Sequence, residues 1–343
     1  MTMDETGLAV LIGTAAGTVA KPFLAFIQQE SFLYWPYLAT ALVVALLAGL
    51  WAGRQSGKPF GEYLKDLFSP SIWWHRSARV DYRFYVVNGI VFPLIFTPMI
   101  VTGFYVAQGT QWALSSLFGA SPVSAELGLW ALVIYSVVFF VAYDLGRWVG
   151  HSVQHQIPFL WEFHKVHHSA EVLTPITSFR AHPVDLLIMA TVAGQFTGLV
   201  SGGALFLFER DIGLLTVLNL HFLVFFYNLV SNLRHSHVWL SYGRLGYIFI
   251  SPAQHQIHHS DNPKHFGMNR GFGLAVWDWM FGTLYVPRQR EELSFGTADG
   301  TEKDYCGVWQ LYWLPVRRAF ATLARRPAPG TEREAARVTT PAE

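Results

Sequence analysis

An all-α, multi-pass membrane bundle of about four to six membrane helices, with a cytoplasmic histidine-rich cap holding a dimetal site, is the fold class this sequence predicts. Three observations carry that expectation. The 343 residues are 52% hydrophobic and 16% aromatic with only 14% charged, too apolar for an ordinary soluble domain. Several apolar runs are long enough to cross roughly 30 Å of hydrocarbon as helices. Twelve of the fourteen histidines lie between His151 and His259, and only His221 falls inside an apolar run.

Other classes are excluded by composition. A net charge of +1 leaves no broad basic surface for nucleic acid. A single cysteine, Cys306, excludes an intramolecular disulfide and any all-cysteine metal site. The N-terminus begins acidic, without the basic region and cleavage site of a secretory signal peptide, and is expected to be retained. From Arg325 the chain is rich in Pro, Arg, Glu, Ala and Thr, which predicts a solvated tail.

Taken in order, residues 8–29 are moderately apolar but interrupted by Lys21-Pro22, and predict a short or interfacial helix. Phe32 to Trp51 predicts the first full crossing. The segment from Arg54 to Arg83 holds six Lys and Arg residues. A second run, Phe84 to Ala107, leads to a segment, 108–126, with no Lys or Arg. That asymmetry places 54–83 in the cytoplasm. Leu127 to Tyr143 predicts the crossing back, delivering Asp144 and the first histidines to the cytoplasmic side. Two further runs, 184–208 and 212–231, are separated by the turn Glu209-Arg210-Asp211 and predict a hairpin into the membrane and back. Residues 244–286, with Ser251-Pro252, Asn262-Pro263 and Gly267, predict a cap with the second histidine cluster on a helix.

The histidine spacings carry the chemistry. His151 and His155 stand at i, i+4. His164, His167 and His168 stand at i, i+3, i+4, and His255, His258 and His259 repeat that pattern. Residues so spaced share a helix face, so each group aims its imidazoles into one cavity. Imidazole suits zinc, copper, iron and nickel, and eight histidines exceed what one metal can hold. Crowding them without a metal would leave imidazoles unpartnered or repelling. His235, in NLRHSH after the return run, and His182, in SFRAHPVD at the hairpin start, are further candidate ligands. Metal-bound imidazoles donate their other N–H to a carboxylate or carbonyl. Asp144 is the leading carboxylate for that role, with Asp185 and Asp278 behind it. His237 and His265 read as outer-sphere or surface residues, and His75 and His221 as ordinary packed histidines.

These residues resemble the fatty acid hydroxylase/sterol desaturase superfamily of membrane di-iron enzymes. The matching motifs are HSVQH (151–155), HKVHH (164–168) and HQIHH (255–259), with further similarity in RAHP (180–183), NLRHSH (232–237) and WDWMFGT (277–283). The resemblance covers about 130–290. It implies two non-haem irons held by the eight boxed histidines as catalytic ligands. It also implies O2 as co-substrate and insertion of oxygen into a C–H bond of a lipid such as a sterol, fatty acyl chain, ether lipid or aminolipid. Some relatives place two histidines at helical spacing before the last box; this chain has Asn232-Leu-Arg-His235-Ser-His237, so the ninth and tenth ligands stay open. The implied division is 1–83 as N-terminal membrane helix and basic loop, 84–290 as catalytic membrane domain, and 291–343 as a C-terminal segment. No cysteine set for an iron–sulfur cluster and no dinucleotide fingerprint is visible, so electrons are expected from a ferredoxin or cytochrome b5-type donor with its reductase. The host membrane would be a bacterial inner membrane or endoplasmic reticulum. A sterol C-5 desaturase on the same metals is the close alternative. A histidine-lined metal transporter and a structural metal site are alternatives from other classes.

Overall fold

Four helices long and apolar enough to cross a membrane stand among the described residues: Trp35–Arg54, Arg76–Phe118, Leu129–Gln156 and Pro183–Phe208. The computed structural model describes residues 17–57, 59–119, 128–208 and 213–324. The turn at Glu209-Arg210-Asp211, the tail from Arg325, residues 8–16 of the first apolar stretch and 120–127 of the uncharged segment lie outside them. The chain is an integral membrane protein, mostly helical.

Helix α1 (Trp35–Ser56) is followed in the basic segment by α2 (Phe60–Leu67). The second crossing begins earlier and ends later than its apolar run: α3 (Arg76–Val91) continues through a π-helical turn, Phe92–Phe96, and a 3-10 turn, Thr97–Met99, into α4 (Gly103–Phe118). Pro93 and Pro98 lack the N–H that a continuous helix needs, which accounts for the break. Residues 108–118, expected in a loop, therefore extend the crossing. Helix α5 (Leu129–Gln156) carries His151 and His155 in its last two turns. Ile157 is extended and Pro158 opens α6 (Pro158–His168), where proline is tolerated because the first turn has no partner for its N–H. Helix α7 (Pro183–Phe208) runs antiparallel to α5.

The run 212–231 does not form the expected second arm of a helical hairpin. Leu218 and Asn219 have positive φ, 49° and 60°, and turn a two-strand hairpin, β1 (Thr216–Val217) and β2 (Leu220–His221). Only Phe222–Ser231, α8, is helical, about 15 Å long and half the hydrocarbon thickness. The hairpin lies deep: Leu215 N–H donates to Ser136 Oγ at 2.8 Å, and Ser136 precedes His151 by fifteen residues, about 22 Å of helix. Hairpin and short helix together cover the return. His221 caps α8, its Nδ1 accepting from Leu223 N–H and its Nε2–H donating to Ser136 O, and it stacks on Phe139 and Phe140. His75 likewise caps α3 through Ser77 N–H. Both are the packed histidines expected.

Above the crossings sit short elements: α9 (Pro252–His258), α10 (Val276–Met280) and connecting loops, with α11 (Val308–Ala324) packed along α6. A capping box between Ser251 and Gln254 starts α9. Arg180 ties cap to membrane helices: it is 1% exposed, pairs with Asp81 of α3 at 2.6 Å, and donates to Val166 O, Ser169 Oγ and Tyr305 O. A buried ion pair persists only when its remaining donors are satisfied, as they are here.

Candidate metal centre

Nine histidines converge into two groups. His151, His155, His164, His168 and His258 form one, and His167, His235, His255 and His259 the other, each with its candidate ligand atoms within 4.8 Å of one another. All eight histidines of the three boxes are included, together with His235. Helix α6 splits its three between the groups, as do α9 and its C-cap His259, so these two short helices hold the groups side by side.

The ligand face is Nε2 throughout. His151 Nε2 stands 3.0 Å from that of His164 and 3.1 Å from that of His258, and His155 Nε2 stands 3.2 Å from both His151 and His258. In the second group His235 Nε2 lies 3.2 Å from His167 and 3.1 Å from His259 and His255. Two nitrogens each about 2.0–2.1 Å from one metal and about 90–110° apart are separated by about 2.9–3.4 Å. The spacings therefore match edges of a coordination polyhedron, and the residues fit a metal in each group.

The Nδ1 partners explain why Nε2 is free to ligate. His151 Nδ1–H donates to Arg270 O and His258 Nδ1–H to Met268 O, both at 2.7 Å. His167 Nδ1–H donates to Arg180 O at 3.3 Å, and His164 Nδ1–H to Asp185 Oδ2 at 3.0 Å. With the proton held on Nδ1, the Nε2 lone pair faces inward. His235 Nδ1 is hydrogen-bonded to Ser178 Oγ. His255 differs, its Nδ1 accepting from the Arg234 guanidinium at 2.8 Å. Burial, reinforced by neighbouring imidazoles, holds His167 down to about 4 and pushes His168, His235, His258 and His259 well below the usual imidazole range. Two imidazolium charges 3 Å apart would repel by about 5 kcal/mol even at an effective dielectric of about 20. These five imidazoles are accordingly held neutral, the form a metal takes.

The expected carboxylates are rearranged. Asp185, ranked behind Asp144, is the one that touches an imidazole, and Gln154 of α5 fixes its other oxygen at 3.0 Å. Asp144 instead accepts from Gly273 N–H, Leu274 N–H and Trp277 Nε1–H. Asp278 accepts from Arg270 N–H, Gly271 N–H, Trp148 Nε1–H and Thr283 Oγ1–H. Neither meets a histidine. Both strap the loop 268–274, whose Met268 and Arg270 carbonyls orient His258 and His151. Asn269, at φ 55°, takes the left-handed conformation that asparagine tolerates and ties the loop to Gln254 O and Tyr285.

His182 stands outside both groups. Its Nδ1 accepts from Val184 N–H and its Nε2–H donates to Tyr312 O, so both ring nitrogens are committed and it acts as the cap of α7. His237 and His265 also lie outside: His237 rests against the backbone of Asp66 and Leu67, and His265 beside Glu291. Sequence reasoning overlooked Arg180 and Asn269, and for Asn269 the flanking turn residues Gly267 and Gly271 were the available signal.

Two cavities flank the histidines. One, of about 380 Å³, is lined by Leu186 and Met189 of α7, Tyr227 of α8 and Phe179 of the turn before α7, and reaches His151, His164 and His235. The other, of about 480 Å³, is lined by Trp161, His155, His168 and cap residues Phe266 and Thr297.

Comparison with known proteins agrees with this construction. Residues 136–283 match the family described as Fatty acid hydroxylase. The chain is 28% identical to an ornithine lipid hydroxylase of Rhizobium tropici over 51% of this chain and 49% of that protein. It is 26% identical to an alkylglycerol monooxygenase of Caenorhabditis elegans over 45% of this chain and 27% of that one. A very-long-chain aldehyde decarbonylase of Oryza sativa subsp. indica is 26% identical over 55% of this chain and 71% of its own. The matched region thus spans about half or less of the first two relatives. No solved structure matches the chain. The segment 136–283 that matches the fatty acid hydroxylase family carries all nine converging histidines.

Proposed function

We propose that the protein is a membrane di-iron oxygenase that hydroxylates a C–H bond of a lipid. The observation that carries the reading is the convergence of nine imidazoles into two adjacent groups beside a cavity reached from the membrane helices. Two irons held there would supply activation of O2, with His151, His155, His164, His168 and His258 at one and His167, His235, His255 and His259 at the other. Zinc lacks the redox chemistry this requires. The overall change is R–H + O2 + 2 e⁻ + 2 H⁺ → R–OH + H2O. The two electrons come from an external donor of the ferredoxin or cytochrome b5 type with its reductase.

The chain's own residues do the rest. Leu186, Met189 and Phe179 offer an apolar wall to a lipid chain, and Asp185 and the carbonyls of Met268 and Arg270 fix the imidazoles that face it. The cavity beneath the cap, with Trp161 beside His155 and His168 at 5.1 and 5.3 Å between ring centroids, gives the other face to the electron donor. The basic residues of 54–83 support a cytoplasmic position for the cap.

Metal content of the detergent-purified protein tests this. About two irons per chain, as a coupled pair in the Mössbauer spectrum, is the expected result, and stoichiometric zinc after metal-controlled expression would overturn it. Product mass then decides the chemistry: hydroxylation adds one oxygen, whereas loss of two hydrogens would make the enzyme a desaturase.

A further inference from the structure

The membrane-side cavity carries more positive charge than its protein partners use. Arg147, Arg234 and Arg270 all line it, against one carboxylate, Asp185. Both Asp185 oxygens are taken, by Gln154 and His164. Arg234 is fully engaged, donating to Tyr227 Oη, the carbonyls of Gly271 and Phe272, and His255. Arg270 and Arg147 are different: each has a buried Nε without a hydrogen-bond partner among the described residues, but Arg270 sits in the loop 268–274 and also lines the cap-side cavity, whereas Arg147 is on a membrane helix. It precedes His151 and His155 at i, i+4 and i+8, so one face of α5 presents all three to the site. Its guanidinium lies 4.7 Å from the centre of the Phe272 ring, and its buried Nε has no hydrogen-bond partner among the described residues. Among those residues it forms no ion pair. Asp144, three residues earlier, is committed to Gly273, Leu274 and Trp277.

An arginine without a counter-ion in a cavity with apolar walls at the end of a membrane helix is costly, and such residues mark sites that meet charged ligands. We propose that Arg147 is the anchor for an anionic head group of the lipid substrate, a phosphate or a carboxylate, bound within the cavity. The proposal rests on the oxygenase reading and narrows its substrate. A guanidinium presents paired donors to either anion, with Phe272 holding its plane from one side. Helical side chains lean toward the N-terminus, so the charge sits one to two helical turns, roughly 5–11 Å, from the His151 level. Oxygen therefore enters carbons near the head group rather than the far end of a tail.

Binding by the purified, iron-loaded full chain in non-ionic detergent tests this without turnover. Three single-chain probes of equal tail suffice: palmitoyl lysophosphatidic acid, N-palmitoylglycine and neutral monopalmitoylglycerol. The wild-type protein is expected to bind at least one anionic probe about tenfold or more tightly than the neutral one, as a charge-assisted contact implies. The two anionic arms separate phosphate from carboxylate. Arg147→Gln should abolish the preference while neutral-probe affinity and iron content stay at wild-type values, and Arg147→Lys should keep part of it. Equal affinity of all three probes for wild-type protein, or an undiminished preference in R147Q, overturns the proposal. Because wild-type binding alone can overturn it, a variant that fails to insert does not shield it. Two irons without a charge preference sink the anchor alone; a preference without iron sinks the oxygenase reading alone.

Discussion

In the five-histidine group three Nδ1 protons are drawn toward oxygen, by the carbonyls of Arg270 and Met268 and by the carboxylate of Asp185. In the four-histidine group two Nδ1 atoms also meet oxygen, at Arg180 O and Ser178 Oγ, but a third faces the Arg234 cation, and that of His259 is buried without a hydrogen-bond partner among the described residues. Oxygen partners raise the basicity of an imidazole, whereas a neighbouring cation lowers it. Two metals bound by one residue type would thus sit in unlike fields. The difference teaches that outer partners, rather than ligand identity, set the groups apart, and that the group with fewer ligands and a cation against one of them is the more labile.

The largest expected effect comes from removing a ligand on either side of that comparison. His258→Ala should cost the five-histidine group its metal, and His259→Ala the other, each by more than about 100-fold in affinity, since even outer partners are worth about 10–100-fold. Turnover should vanish in both while the protein remains inserted, and one iron per chain should persist longer in His259→Ala than in His258→Ala. Full activity of either variant would remove that histidine from the centre. Acid comes next. The folded apo-protein keeps His167 neutral to about 4, whereas the unfolded chain protonates near 6.5, so stability present above about 6.5 is lost as pH falls toward 4. Each such histidine contributes about 1.4 kcal/mol per pH unit across that window. Thermal midpoints of apo and loaded protein should diverge on acidification, and a flat apo profile would contradict the burial of the cluster.

Smaller still, Asp185→Asn should weaken metal binding at the five-histidine group by about 10–100-fold and narrow the gap between the two chelation rates. An unchanged pair of rates would show that the carboxylate does not tune His164. The smallest effect belongs to His182→Ala, which removes a helix cap. It should cost about 1 kcal/mol of stability with metal loading intact, and loss of iron would return His182 to the ligand set.

The three boxes were legible because their spacings are local: i, i+3 and i+4 put imidazoles on one face whatever surrounds the helix. His235 was reachable from its position after a returning segment. Asp185 was harder, since a carboxylate three residues into α7 reads equally well as a favourable charge in a first turn. Only packing of α5, α6 and α7 brings it to His164. The short α8 was hidden for a related reason. Residues 212–231 have the composition of a crossing, and the turn at Leu218-Asn219 contains no glycine or proline to announce it. The division of α6 and α9 between two groups is a tertiary property with no signature in one segment.

Helix α7 carries Gly194, Gly198 and Gly202 at intervals of four. A Cβ at Gly198 would stand 2.6 Å from Gly103 O, and one at Gly202 would stand 2.4 Å from Ala107 O. Where the backbones approach so closely at these glycines, no acyl chain passes between α4 and α7. Phe32 and Tyr227 instead line the cavity that reaches His151, His164 and His235. A lipid tail that reaches the histidines is thus walled by side chains of α7 and α8 rather than threaded through the α4–α7 seam.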